Sequence, residues 1–300
     1  MARVILLVGD KRGRFPGSNC LLVKGAKKAL LVDAGCREEQ VLEARDRVDA
    51  VLYTHIHPDH IPRHSLLRGK PMIAPLPDSI YHDLEGLARR YAPEIWRDWI
   101  NYVHTVFSLR ELPTIDRAYG AWEEVRVGDI SIQTVPAPGH TLGHTLLLID
   151  KHLHLSDIDL TSFGPWYGHP ESSVEQFISD IMAAASIEAG QATTSHREKI
   201  FARKELEDEI SRYMGALCRQ AQTIYAGLIK YGPSTPEGLA GKGLIYRRYL
   251  PSMEAVMNYF EKMMIWKLLD HLATRGLVKR TASGFYEAVS EEAPACGSII

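Results

Sequence analysis

Several things are scarce in this chain, and each absence excludes something. Its four cysteines, Cys20, Cys36, Cys218 and Cys296, are scattered and form no C-x-x-C pair. That argues against a thiolate zinc site and predicts reduced thiols serving as small hydrophobes. A charge excess is missing too: 35 basic and 37 acidic residues leave a formal net charge of −2. Nothing global therefore points to nucleic acid or an anionic membrane as a partner. Long apolar runs are absent, and the opening "MARVILLVGD" reaches Gly9 and Asp10 too soon for a signal peptide or a membrane span. There is no internal repeat and no low-complexity segment. These absences together predict a cytoplasmic protein.

What is present is ordinary globular material. A hydrophobic content of 45% over 300 residues supports a sizeable core. The length fits two domains, or one α/β domain with an appendage. Strands are expected first, in "RVILLVG", "NCLLVKG" and "KALLVDAG", with a helix at "EEQVLEARD" and a strand again at "DAVLYTH". From Asp78 to about Leu112 the apolar period becomes helical, through Leu84, Leu87, Tyr91, Ile95, Trp99 and Tyr102. Strands resume in "EVRVGDISIQTVPA", "TLLLID" and "KHLHLSD", and a helix "SSVEQFISDIMAAAS" precedes "QATTSH". After His196 the chain turns helical and charged up to Gly232 and Pro233, then continues as a long helix, a glycine turn and two short strands. Helix plus hairpin reads as the second half of a winged helix. The expected division is 1–205 and 206–300.

The chemistry gathers at "THIHPDH", residues 54 to 60. Residues two apart on a strand face the same way, so His55 and His57 can converge on one point. Pro58 suits the first turn of a helix, which would swing Asp59 and His60 into the same space. Four ligands from one segment fit two metals better than one. Farther on, "PAPGHTLGH" supplies His140 beside Gly139, "HLHLSD" supplies Asp157, and "TTSH" supplies His196. Each follows an expected strand.

With "FPGSNCLLV" and "ALLVDAG" before them, these motifs in this order resemble the metallo-β-lactamase superfamily over about residues 1 to 200. The resemblance implies an α/β fold, an αββα sandwich with the metals at one sheet edge. Asp33 matches the family's first acidic position. His55, His57 and His140 would then hold one divalent ion, Asp59, His60 and His196 a second, and Asp157 would bridge them. One departure is Ser156, where relatives usually have Gly; Asp159, two residues beyond Asp157, is the competing bridge. A water between two such ions becomes a hydroxide nucleophile near neutral pH, with Asp59 orienting it. Zinc is the default for nitrogen and oxygen donors, with manganese or iron as alternatives. The resemblance is closest to glyoxalase II-like thioesterases, lactonases and hydrolases with a C-terminal winged helix. The absence of a cysteine ligand argues against a cysteine-type β-lactamase, and His57 argues against flavodiiron chemistry.

Other segments are weaker signals. "FGPWYGHP" would overhang the metals, making Phe163, Trp166, Tyr167 and His169 candidate substrate contacts, with a packed structural loop as the equal alternative. "GDKRGR" reads as a solvated turn. "MNYFEKMMIW" offers an apolar, Met-rich face for a homodimer or the pocket rim. Lys and Arg after Gly241 are nearly matched by Asp and Glu, so RNA is a less favoured partner than a small ester-like substrate. The expected function is hydrolysis of a thioester, lactone or other small ester, with a metal-dependent phosphodiesterase or endoribonuclease as the alternative.

Overall fold

The computed structural model describes residues 2–300. Two six-stranded sheets stack face to face. The first has order β1 (Arg3–Leu7), β2 (Cys20–Lys24), β3 (Ala29–Val32), β4 (Ala50–Leu52), β5 (Met72–Pro75) and β6 (Arg117–Tyr119). It is antiparallel through β3 and parallel from β3 to β6. The second runs β7 (Glu124–Val127), β8 (Ile130–Pro136), β9 (Thr145–Ile149), β10 (His152–His154), β11 (Gln191–Thr193) and β12 (Phe201–Ala202). Only its β10–β11 pair is parallel.

Period-2 alternation builds the interior. Leu21, Val23, Leu30 and Val32 face Ile130, Ile132, Leu147 and Ile149 between the sheets. The intervening Cys20, Leu22 and Leu31 face outward, onto α1 (Glu38–Arg45), α2 (Leu84–Tyr91) and α3 (Trp96–Phe107). Behind the second sheet lie α4 (Val174–Ser186), α5 (Arg203–Tyr231) and α7 (Glu254–Thr274), with the short α6 (Pro236–Leu239) beside them. The helical stretch expected from Asp78 to Leu112 is therefore broken, because Pro93 opens a separate short turn between α2 and α3. A two-stranded hairpin, β13 (Val278–Arg280) and β14 (Tyr286–Ala288), follows α7. The chain closes with α8 (Cys296–Ile299).

Two expectations change here. Cys218 on α5 and Cys296 on α8 form a disulfide, so only Cys20 and Cys36 are free and buried. Their separation of 78 residues hid the pairing, since nothing local marks it. The Met-rich face of α7 is also not left open. Val256, Tyr259, Phe260 and Met263 pack against α2 and α3, while Met264, Ile265 and Leu268 join the core behind the second sheet. Residues 206–300 thus share their apolar interior with the sandwich. Among the described residues no helix is long and apolar enough to cross a membrane.

Candidate metal centre

The loops leaving β4, β8, β10 and β11 meet at one end of the sandwich. Two groups of donors converge there: His55, His57, His140 and Asp157, and beside them Asp59, His60 and His196, all buried. The helix expected from Pro58 does not form. Residues 58–60 make a turn closed by the His60 N–H donating to the His57 carbonyl at 2.9 Å. That turn serves the same purpose, delivering Asp59 and His60 beside His55 and His57.

Asp157 stands between the groups. Its Oδ2 lies 3.3 Å from His140 Nε2 and 3.7 Å from His55 Nε2. Its Oδ1 lies 3.0 Å from His60 Nε2 and 3.6 Å from His196 Nε2. In the first group His140 Nε2 and His57 Nδ1 approach to 3.0 Å. In the second, Asp59 Oδ2 lies 3.3 Å from His196 Nε2 and 3.7 Å from His60 Nε2. Asp159 points elsewhere, accepting hydrogen bonds from the N–H and hydroxyl of Thr161. Ser156 occupies the left-handed region at φ 49°, which explains why glycine suits that position, and its hydroxyl donates to Thr54 Oγ1.

Outer hydrogen bonds fix the rings of His60, His196 and His140. His60 Nδ1 donates to Asp33 Oδ2 at 2.9 Å, and Asp33 also accepts from the N–H and hydroxyl of Thr54. His196 Nδ1 donates to the carbonyls of Gly13 and Gly17, and His140 Nδ1 to that of Trp166. His144, whose sequence position suits a supporting or structural role, donates from Nδ1 to the Ala137 carbonyl and accepts the Asp157 N–H on Nε2. This positions the Asp157 backbone. Such bonds leave the inner nitrogens as lone-pair donors.

A metal fits these residues. His55 Nε2 is buried with no hydrogen-bond partner, and His60 Nε2 and Asp157 Oδ1 are buried with only each other, a costly condition that a cation relieves. The electrostatics agree. Burial, then neighbouring imidazoles, hold His55 and His57 well below the usual histidine range and so neutral. At Asp157 burial opposes ionisation, but His60 and His196 outweigh it and hold the carboxyl well below its usual range. At His60 and His196 burial is outweighed by the carboxylates, chiefly Asp157, and protonation is favoured. A cation seated there replaces those protons.

Polar residues that the sequence did not single out join the loops. Arg90 on α2, buried, reaches Asp78 at 2.7 Å and Glu171 at 2.5 Å. Asp78 accepts the Ile56 N–H at 3.0 Å, and Glu171 accepts the Leu142 N–H at 3.0 Å. The triad thereby ties the His55–His57 loop to the His140 loop. A Cβ on Gly143 would fall 2.3 Å from the Asp78 carboxylate, so glycine permits this approach. Gly139 admits the start of α4 likewise, a Cβ there falling 2.3 Å from Phe177 N. Lys267 of α7 donates to the carbonyls of His169, Pro170 and Ser172. The Ser172 hydroxyl in turn donates to the His140 carbonyl at 2.6 Å.

The aromatic loop divides. Trp166 packs on the His57 and His140 rings at 6.0 and 5.7 Å between centroids. His169 lies 4.7 Å from the His57 ring and stacks on Tyr91. Phe163 is 38% exposed and stacks on Tyr246. Tyr167 departs from the expectation: it is fully buried in the core and donates to Gln220 Oε1, so it offers nothing to a substrate.

Comparison with known proteins agrees with this arrangement. The family model described as the metallo-beta-lactamase superfamily matches residues 13–171. The chain belongs to that superfamily, a class of metal-dependent hydrolases. An uncharacterised protein of Aquifex aeolicus is 30% identical over 159 residues, 49% of this chain and 69% of its own length. A hydroxyacylglutathione hydrolase of Xanthomonas axonopodis pv. citri is 26% identical over 223 residues, 73% of this chain and 75% of its own. A metallo-beta-lactamase family protein of Thermus thermophilus superposes with a TM-score of 0.68 at 18% identity, covering 96% of this chain and 98% of that one. A beta-lactamase domain protein of Burkholderia ambifaria superposes at 0.66 and 17% identity, with 96% and 91% covered. These superpositions concern the fold.

Proposed function

We propose that this chain hydrolyses an ester-like bond, in a thioester, lactone or other small ester, at a pair of divalent metal ions, most simply Zn²⁺. The observation that carries the reading is the convergence of seven buried donors on two adjacent positions, with one Asp157 oxygen directed to each group. His55, His57 and His140 would hold one ion, Asp59, His60 and His196 the other, and Asp157 both. Two such ions supply Lewis acidity and an acidified water as nucleophile when bound. Asp59, beside His60 and His196, would accept a hydrogen bond from that water and orient it toward the substrate carbonyl. His140 and His57 sit under Trp166, whose ring excludes bulk water from the reacting bond. His169 and Phe163 complete the wall that a substrate would touch. Residues 206–300 form a winged-helix-like unit, packed into the sandwich core, that shapes the rim, a reading supported by α7 and the hairpin after it.

The test has two parts. Elemental analysis is expected to find about two metal ions per chain; a metal-free protein of full stability would end the reading. A panel of thioesters, lactones, phosphodiesters and single-stranded RNA then locates the bond. Turnover of the esters, abolished in Asp59→Ala, is the expected result. Cleavage of RNA in their place moves the assignment to phosphodiester hydrolysis.

A further inference from the structure

The stretch from Trp166 to Ser173 forms neither helix nor strand, yet the loop of His140 hangs on it. The Trp166 carbonyl accepts from His140 Nδ1 at 2.9 Å, and the Ser172 hydroxyl donates to the His140 carbonyl at 2.6 Å. On either side, the Ser173 N–H donates to the Gly139 carbonyl at 3.0 Å, and Glu171 accepts the Leu142 N–H. His169, in the same stretch, sets its ring 4.7 Å from that of His57. Two of the three histidines at one metal position therefore take their placement from this stretch. At the other position, His60 and His196 are braced by Asp33, Gly13 and Gly17 instead.

What holds the stretch is a cation from far along the chain. Lys267 of α7 is half-buried, and its Nζ donates to the carbonyls of His169, Pro170 and Ser172, the last at 2.7 Å. Three carbonyl dipoles aimed at one point repel one another, and an ammonium with three N–H donors answers all of them. The carboxylate of the stretch, Glu171, is bonded to Arg90, which leaves Lys267 to the carbonyls. One turn farther along α7, His271 places Nδ1 2.8 Å from Glu175 Oε1, in the first turn of α4. Helix α7 thus grips both the stretch and the helix that follows it.

We propose that Lys267 is a positioning residue for the metal position of His55, His57 and His140. By gathering the carbonyls of residues 169–172 it keeps the Ser172 hydroxyl on the His140 carbonyl and His169 against His57. The position of Asp59, His60 and His196 does not depend on it. The inference rests on the two-metal reading and deepens it: a helix from the last hundred residues completes a ligand site built by the first two hundred.

Titration of Zn²⁺ against a chromophoric chelator, resolving two dissociation constants per chain, tests it. Lys267→Met is expected to weaken one ion about tenfold or more and to leave the other within about twofold. Ser172→Ala, which leaves α7 intact, should weaken one ion about threefold or more. In the double variant the loss should be smaller than the product of the single losses, because Lys267 acts on His140 through Ser172. Weakening of both ions together, of neither, or by the full product overturns the proposal. If Lys267→Met does not fold, Lys267→Gln takes its place with the same expectation and the same refuting outcomes. Wild-type protein that binds fewer than two zinc ions fails the two-metal reading itself and takes this inference with it, so the two failures are distinguishable.

Discussion

The two halves of the metal centre are supported in different ways. His60 and His196 are braced by a carboxylate and by main-chain carbonyls, from Asp33, Gly13 and Gly17, all supplied by the first sheet and its loops. His140 has one such carbonyl, from Trp166, but His57 and His140 sit mainly among rings, Trp166, His169 and Tyr91, and their loops are joined by the Arg90 triad. The first arrangement is electrostatic and short-ranged. The second depends on helices α2 and α7 arriving correctly from far along the chain. One half should therefore respond to single hydrogen bonds, and the other to packing.

Substitutions can break or sharpen that contrast. Asp157→Ala strips both halves at once and should lower kcat/KM more than about a thousandfold, the scale of losing metal-assisted activation. Asp159→Ala should leave it within a factor of about three, because Asp159 only closes a local turn. Comparable losses in the two variants would reassign the bridge. Arg90→Met comes next. It strands the buried Asp78 carboxylate beside Glu171 and should cost roughly 3–5 kcal/mol in urea unfolding. In the folded fraction, chelator competition should show weaker binding of the ion proposed for His55, His57 and His140.

Asp33→Asn should be milder and opposite in location. Loss of the charged acceptor behind His60 is expected to weaken one of the two ions about ten- to hundredfold and leave the other unchanged. If both ions loosen together, the halves are not independent. The smallest effect serves as a control away from both. His152 is buried, with Thr193 Oγ1 and Gln191 Nε2 on its two nitrogens, and burial lowers its pKa to about 4. Between that value and the unfolded value of about 6.5, the unfolded chain binds the extra proton, so stability falls as pH falls through this window. The contribution is complete above the unfolded value. Its slope is about 1.4 kcal/mol per pH unit, and His152→Gln should remove it from the pH dependence of unfolding.

Much of this centre could be read from the sequence because its donors are tied to local geometry. His55 and His57 share a face two residues apart, and His140, Asp157 and His196 each follow a strand that pairs within one sheet. Alternating apolar residues likewise announced the two sheets. The Arg90–Asp78–Glu171 triad had no such mark, since its members come from three separate segments and look like surface charges in isolation. Tyr167 could not be told from Trp166 by type or position, and only its hydrogen bond to Gln220 on α5 places it in the core. The Met-rich face of α7 showed that it must be covered, but not by what.

The sequence by itself determined the candidate donors and the layered sheets, because strand alternation and turn chemistry act over a few residues. The tertiary structure alone decided how those donors are held. It brought Arg90 between two ligand loops, joined Cys218 to Cys296, and set Tyr246 against Trp166 through the buried carboxylate of Glu261. Such contacts join segments that no local pattern relates, and they exist only once the chain has closed on its core.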